Sequence, residues 1–261
     1  MEAAEWLRTE DRGPIRWLTM ERPDRRNAIP PQGWSDLIDA FQDFERAPPR
    51  ILVIAGAGGA FCSGADLDPA LLVGRSVTSQ HQWMKTVGAA AAALHRCPKP
   101  TIAAVDGIAA GAGLNLALAC DVVIASTRAR FSEIFVRRGL TVDFGGTWIL
   151  PRIVGLQRAK EMALSGRILD ATEARDFGLV LDVVDEGRFE ERVNEVADSF
   201  LAGAPIAQMF AKQGLNRAFE VSLAEALAFE GQAQSICGST EDVVEGVSAF
   251  LEKRPPHFKG R

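Results

Sequence analysis

Short apolar runs punctuate the first half of the chain. Ile15–Met20 alternates in part and stops at Arg22-Pro23; Ile51–Ala55 is a compact β-branched run closed by Gly56. Thr101–Val105 follows Lys99-Pro100 and stops at Asp106-Gly107, and Val122–Ala125 follows Cys120-Asp121. Each has strand length, strand composition and turn residues beside it. Between them, Gln32–Glu45 carries apolar residues at 34, 37, 38, 41 and 44, the spacing of one helix face. Gln82–His95 is rich in alanine and favours helix. Strands alternating with helices predict an α/β core.

The second half reads as helices over Ala159–Leu164, Ala171–Phe177, Phe189–Ala202, Ile206–Phe219, Leu223–Cys237 and Thr240–Glu252. Val180–Val184 is the one strand candidate among them. After about residue 200 no strand pattern is evident, so a boundary falls there. Residues 1–200 form a mixed core, and 201–261 form a helical region that either packs on its own core or serves assembly.

Composition narrows the classes. With 261 residues, 47% of them hydrophobic, a large core needs neither disulfides nor structural metal. The net charge of −5, without a long basic run, argues against nucleic acid. Cysteines at 62, 97, 120 and 237 form no CxxC pair, and only three histidines occur, which argues against a metal site. Widely spaced cysteines suit a reducing, cytoplasmic setting. The charged start MEAAEWLRTE is unlike a signal peptide, and no apolar run is long enough for a membrane span.

Two glycine-rich loops follow strands. Ile51–Gly56 runs into Ala-Gly-Gly-Ala-Phe-Cys-Ser-Gly-Ala-Asp-Leu67, and Val105 runs into Asp-Gly-Ile-Ala-Ala-Gly-Ala-Gly-Leu-Asn115. Neither fits the dinucleotide fingerprint, because Phe61 and Leu116 stand where the third glycine belongs. No GxxxxGK[ST] occurs, and Ser63 lacks the glycines of a nucleophile elbow. Small residues do let a ligand approach the backbone, and a helix start leaves N–H groups unpaired. Ala65 N–H and Ala112 N–H are therefore candidate donors to one oxyanion. The alternative is that both loops are only tight packing sites.

Phe61-Cys-Ser-Gly-Ala-Asp-Leu67 and Gly107-Ile-Ala-Ala-Gly-Ala-Gly-Leu-Asn-Leu-Ala-Leu-Ala-Cys-Asp121 resemble the two signature segments of the enoyl-CoA hydratase/isomerase (crotonase) superfamily. Glu21–Ala28 resembles its early CoA-contacting turn, Gly139–Arg152 a later loop, and Glu241–Arg254 its C-terminal helix. The resemblance implies an α/β, crotonase-like spiral of ββα units with a C-terminal helical trimerisation region, assembled as a homotrimer or dimer of trimers. It implies an acyl-CoA thioester substrate, with coenzyme A as part of that substrate and no separate cofactor. Ala65 and Ala112 become the donors that hold the enolate; losing one such donor typically costs about 3–4 kcal/mol. Arg25 and Arg26, otherwise ordinary surface charges, become candidate contacts for the CoA phosphates, with Ala28 in the same turn. Ser63, Leu67 and Gly111 fall to the substrate site. Asp66 would touch the acyl group or serve entry into the following helix. Phe250 and Lys253 would reach CoA across a subunit boundary, or simply pack at an interface. The stretch 68–86 would shape the acyl pocket.

The departures from the family decide the expected reaction. Hydratases of this superfamily use two glutamates; Asn115 stands at the first position and Phe135 at the second. Asn115 orients but does not titrate near neutral pH, and Phe135 only packs. Glu133 would take the second position only through a slip of register against Ala129-Arg-Phe131. One carboxylate remains, Asp143, in Gly-Leu-x-x-Asp-x-Gly-Gly-Thr-Trp-x-Leu-Pro-Arg. That pattern resembles the branch of phenylacetate-pathway isomerases and Δ3,Δ2-enoyl-CoA isomerases, where an aspartate shuttles the proton. Phe135, Phe144 and Trp148 are expected to flank it and raise its pKa; the alternative is that Asp143 caps the Gly145-Gly146 turn. His81 and His95 are expected in solvent, Asp121 as a cap, and Cys62 as a packing residue. The expected reaction is double-bond or ring-epoxide isomerisation. Hydration with water on Asn115 and another group, thioester or C–C hydrolysis, and a non-catalytic CoA-thioester-binding subunit are the rivals.

Overall fold

The computed structural model describes residues 4–67 and 76–261. Strands β1 (Leu7–Arg12) and β2 (Ile15–Met20) form a hairpin closed by Gly13-Pro14, with Gly13 in the left-handed region at φ +60°. A short 3-10 turn (Pro23–Arg25) precedes α1 (Gly33–Arg46) and β3 (Ile51–Gly56). The chain continues through α2 (Val77–Arg96), β4 (Thr101–Val105), β5 (Ile108–Ala110), α3 (Ala112–Leu118), β6 (Val122–Ser126) and β7 (Arg130–Ser132). A 3-10 segment (Ile134–Arg138) then leads to α4 (Gly146–Val154) and α5 (Leu156–Ser165). After β8 (Leu169–Asp170), α6 (Ala171–Phe177) and β9 (Asp182–Val184) come α7 (Phe189–Leu201), α8 (Pro205–Asn216), α9 (Leu223–Cys237) and α10 (Glu241–Glu252).

The main sheet has the order β1-β2-β3-β4-β6-β9, antiparallel at β1/β2 and parallel elsewhere. A second sheet, β5-β7-β8, pairs β5 with β7 in parallel. The apolar runs are continuous because both faces of the main sheet are covered. Their residues part by alternation. Leu52 and Ile54 of β3 and Ala103 and Val105 of β4 join Trp34, Leu37, Phe41 and Phe44 of α1 on one face. Ile51, Val53, Ile102 and Ala104 join Val193, Val196 and Ala197 of α7 on the other.

The helices after residue 200 differ. No residue of α8 is buried, and α9 and α10 bury only Ala233, Asp242 and Ala249. Polar ties hold α8 to the core. Lys212 Nζ reaches Asp121 Oδ2 at 2.8 Å and the Lys99 carbonyl at 3.0 Å, and Asn216 Nδ2 donates to the His95 carbonyl at 3.1 Å. Asp121 also accepts from the Thr101 amide and hydroxyl, so it joins β4 to α8; the C-cap of the preceding helix is Ala119, not the Asp121 expected to cap it.

Two glycines give opposite tests of this packing. A Cβ on Gly113 would lie 2.2 Å from the Cys62 carbonyl oxygen, whereas a Cβ on Gly88 of α2 meets nothing within 4 Å. Gly113→Ala is expected to cost about 1–3 kcal/mol through overpacking. Gly88→Ala should stabilise by about 0.5–1 kcal/mol through backbone entropy. Urea unfolding of both variants checks the contrast.

Candidate active site

The two glycine loops lie against each other. Cys62 pairs in parallel with Ala109: Cys62 N–H donates to the Ile108 carbonyl at 3.0 Å, and Ala110 N–H to the Cys62 carbonyl at 2.9 Å. Gly64, at φ +96°, follows; a Cβ there would stand 2.9 Å from the Ala110 carbonyl oxygen and 3.4 Å from the Ala112 nitrogen. On its other side this segment pairs with Ile29, through Ile29 N–H to Gly64 (2.8 Å) and Asp66 N–H to Ile29 (2.9 Å). That ladder uses the groups flanking Ala65, so the Ala65 N–H turns away from Ile29. Ala112 opens α3, where no preceding turn supplies a carbonyl. Among the described residues neither amide has a hydrogen-bond partner.

Side chains hold this arrangement from behind. Buried Asn27, at φ +56°, donates to the carbonyls of Ala57 (2.9 Å) and Ala60 (2.7 Å) and accepts from Arg22 N–H. Arg22 binds the Ala28 carbonyl and the Asp66 carboxylate, each at 2.7 Å. Asp66 is therefore engaged by Arg22 through Oδ2. Ser63 Oγ donates to the Arg25 carbonyl at 3.1 Å, and Ser63 N–H to that of Arg26. Ala28 is buried, while the Arg25 and Arg26 side chains are exposed on that turn and Leu67 is partly exposed. Cys62 is fully buried, and burial pushes its thiol up to about 12, which fits a packing role. Of the 68–86 stretch, residues 68–75 lie outside the described residues; Ser76 caps α2 through the Ser79 N–H.

Asn115 is fully buried on α3 and faces the loop bearing Asp143. Its Nδ2 donates to the Asp143 main-chain carbonyl at 2.9 Å and lies 3.5 Å from Glu133 Oε2. Gly146 packs on the Asn115 amide so tightly that a Cβ would fall 2.4 Å from Nδ2. The same Asp143 carbonyl closes the turn by accepting from Gly146 N–H, so the main chain, not the carboxyl, makes the cap. The capping alternative for the Asp143 side chain therefore fails. Its Oδ1 is buried without a partner among the described residues, and burial pushes its pKa up to about 7.

The expected aromatic walls divide. The Phe135 ring stands over Gly111, the left-handed residue before α3. Phe144 turns into the core against Trp34, with ring centroids 5.7 Å apart. Trp148 is a correction: its indole Nε1 donates to Glu220 at 3.2 Å, Arg152 stacks on it, and His95 meets it edge-on at 5.2 Å. It points toward α2 and the α8–α9 junction because the Gly145-Gly146 turn starts α4 in that direction. His95 is corrected with it: it is partly buried, and desolvation lowers its pKa. His81 is exposed. Phe250 and Lys253 stay exposed on α10 and its C-cap.

Glu133 is the residue that sequence reasoning set aside. It directly follows β7, has no exposed surface, and its Oε1 has no partner among the described residues. Burial first, then the Asp143 charge, push its pKa up to about 8, against the Asn115 contact. The available signal was a carboxylate inside the apolar run Phe131-Ser-Glu-Ile-Phe-Val136. Clefts also lie elsewhere: about 450 and 500 Å³ around His95, Trp148 and Lys212, and about 790 Å³ between α8 and α9. Neither region joins unpaired carboxyls to free main-chain donors. Among the described residues no group of three or more His, Cys, Asp or Glu side chains could hold a metal, and no helix is long and apolar enough to cross a membrane.

The sequence and the fold have known counterparts. The enoyl-CoA hydratase/isomerase family model matches residues 10–261. A Rhodobacter capsulatus protein named "Probable enoyl-CoA hydratase" is 40% identical, over 94% of each chain. The 1,2-epoxyphenylacetyl-CoA isomerase of Escherichia coli is 37% identical, again over 94% of each. The solved structure of an enoyl-CoA hydratase from Bacillus anthracis superposes with a TM-score of 0.92 at 31% identity, covering 98% of this chain and 100% of that one. The chain belongs to the enoyl-CoA hydratase/isomerase family, has its crotonase fold, and is an enzyme of that family.

Asn27→Ala tests the support behind the loops. It removes two donors to buried carbonyls and one acceptor, at a left-handed position that asparagine tolerates better than alanine. The expected loss is about 2–4 kcal/mol, read by denaturant unfolding.

Proposed function

We propose that the protein isomerises acyl-CoA thioesters, moving a double bond or opening a ring epoxide, with Asp143 as the proton carrier. The observation that carries this reading is the Asp143 carboxyl, buried, partnerless at Oδ1 and freed from the turn by its own main-chain carbonyl. Desolvation brings its titration near neutral pH, where one group both takes and returns a proton. Ala65 and Ala112 N–H are the proposed oxyanion donors, supported by their lack of other partners and by the contact of their loops.

In the proposed cycle the Asp143 carboxylate removes a proton from the α or γ carbon of the enoyl thioester. The electron pair moves into the conjugated system, and the thioester oxygen becomes the anion held by the two amides. Protonated Asp143 then returns the proton two carbons away, and the thioester carbonyl re-forms. No water enters, no cofactor is consumed, and coenzyme A stays bonded to the acyl group. Asn115 fixes the Asp143 loop, while Arg25 and Arg26 are proposed to meet the CoA phosphates.

A second reading, hydration, has one observation in its favour. Glu133 stands beside Asn115, so the group needed to hold water with Asn115 is available. The relatives bearing hydratase names are consistent with it.

We also propose a homotrimer or a dimer of trimers. Leu215, Phe219, Leu223, Val244, Phe250 and Leu251 are exposed on or beside α8–α10, an apolar surface that a lone chain leaves in water. In that assembly Phe250 and Lys253 would meet the CoA of a neighbouring copy. Light scattering should give three or six times 28.2 kDa; a single chain would refute the assembly.

The reaction is tested by supplying 3-enoyl-CoA and 2-enoyl-CoA separately and following product mass. A shifted double bond at constant mass supports isomerisation. Gain of one water at a retained thioester supports hydration, release of free CoA supports hydrolysis, and binding without turnover supports a non-catalytic subunit. Asp143→Asn should lower kcat by about 10²–10⁴-fold while acyl-CoA binding persists; near-normal turnover would remove Asp143 from the mechanism.

A further inference from the structure

Three buried side-chain oxygens have no donor among the described residues: Asn115 Oδ1, Glu133 Oε1 and Asp143 Oδ1. The Asn115 amide joins these residues, since its Nδ2 lies 2.9 Å from the Asp143 carbonyl and 3.5 Å from Glu133 Oε2. Reversing that amide would set Oδ1 against the Asp143 carbonyl oxygen, so Nδ2 is fixed toward both neighbours. With both carboxyls ionised, the Asp143 charge would act on that of Glu133, and the one amide donor at Glu133, Asn115 Nδ2, would leave Glu133 Oε1 unserved. Buried charges of one sign cannot both be sustained without a counter-charge.

Among the described residues no cation is paired with Glu133. Asn115 of α3 meets its Oε2, and Asp143 of the 139–146 loop is the charge that acts on it. Arg137, on the 3-10 segment that Glu133 starts, turns its guanidinium to the Ser165 carbonyl, and Arg138 binds the Arg137 carbonyl in solvent. On α5, Arg158 binds the carbonyls of Asp176 and Phe177, Glu161 pairs with Arg167, and Lys160 is exposed.

We propose that Glu133 is a positioning carboxyl that keeps its proton while Asp143 ionises, so that the Glu133–Asn115–Asp143 cluster carries one negative charge during turnover. Its role in turnover rests on Asp143 being the base; its protonation in the resting protein does not. A proton on Glu133 supplies the donor the cluster lacks and leaves the negative charge to Asp143. Ionised Glu133 would oppose both the Asp143 carboxylate and the anion forming on the thioester. The order of titration, about 7 for Asp143 and about 8 for Glu133, agrees with the geometry.

The test has two independent arms. The first needs no substrate: urea midpoints from pH 5 to 9 for the wild type, Glu133→Gln and Asp143→Asn. The folded chain holds the Glu133 proton where the unfolded chain has lost it. Stability therefore falls as pH rises from the ordinary carboxylate range through about 8 and levels beyond. Glu133→Gln should make this fall shallower. Asp143→Asn, by removing the repelling charge, should move its alkaline end to lower pH. A Glu133→Gln profile that parallels the wild type overturns the proposal.

The second arm is the pH profile of double-bond migration. Wild-type kcat should rise through about 7, then fall about fivefold between pH 7 and pH 9 as the second carboxyl ionises. Glu133→Gln should keep the acid limb and lose the alkaline limb. A loss equal at every pH would mark a packing role only and overturn the proposal. If the wild type turns over no enoyl-CoA, the isomerase reading fails. The unfolding arm alone then decides whether Glu133 holds its proton.

Discussion

Everything at the site depends on how closely two stretches of main chain approach, residues 61–66 and residues 107–113. The approach is closer than any Cβ permits. A side chain on Gly113 would meet the Cys62 carbonyl at 2.2 Å, and one on Gly107 would meet the Gly59 carbonyl at 2.1 Å. Hydrogen bonds between Cys62, Ile108 and Ala110 draw the stretches together, and Gly64 then bends the first one away at φ +96°. Both flanks of Ala65 are consumed by Ile29, and Ala112 stands at a helix start. Two amides are thus released in the same neighbourhood by ordinary ladder and helix geometry. No catalytic side chain is required to make that pair, which explains why its motif consists of small residues.

The second constraint is electrostatic. Among the described residues the carboxyls of Asp143 and Glu133 have no cation partner, while cations are abundant at the surface, where Arg8, Arg12, Arg188 and Arg254 pair with acids in solvent. The largest cause of both raised pKa values is burial, not a specific partner. Desolvation of this kind costs stability and is repaid only in function. Asn115 fits such a site better than a third acid would, since its amide donates to both neighbours without adding charge.

Much of the core was legible because its elements follow simple periods. The runs at 15–20, 51–56 and 101–105 are strands, and 33–46, 171–177 and 223–237 are helices, within a residue or two of expectation. Short elements escaped: β1 is nearly all polar outside, and β5, β7 and β8 have two or three residues each, too few to show alternation. At the site, motif register picked out the adjoining loops of Ala65 and Ala112, and it picked out Asn115, which meets the main chain of Asp143. Register could not report direction. Trp148 lies one helical turn from the site in sequence, yet its indole points toward His95 and Glu220. Glu133 failed for the opposite reason: it is two residues from the family position, but the 3-10 segment after β7 leaves it beside Asn115. Side-chain direction is a tertiary property at both places.

The helical region extends the argument beyond the site. A helix buries one face against a core or leaves that face for another surface. Here α8 buries no residue fully, and its contacts with the core are largely lysine and asparagine hydrogen bonds to main-chain carbonyls and Asp121. Such ties fix position without supplying much burial, and Leu215, Phe219, Val244 and Leu251 are exposed on this chain. The path back to the chemistry is short. Glu220, between α8 and α9, holds Trp148 of α4, and α4 begins at Gly146, which lies against the Asn115 amide. The α8–α9 junction is thereby tied, through Trp148 and Gly146, to the loop that carries Asp143.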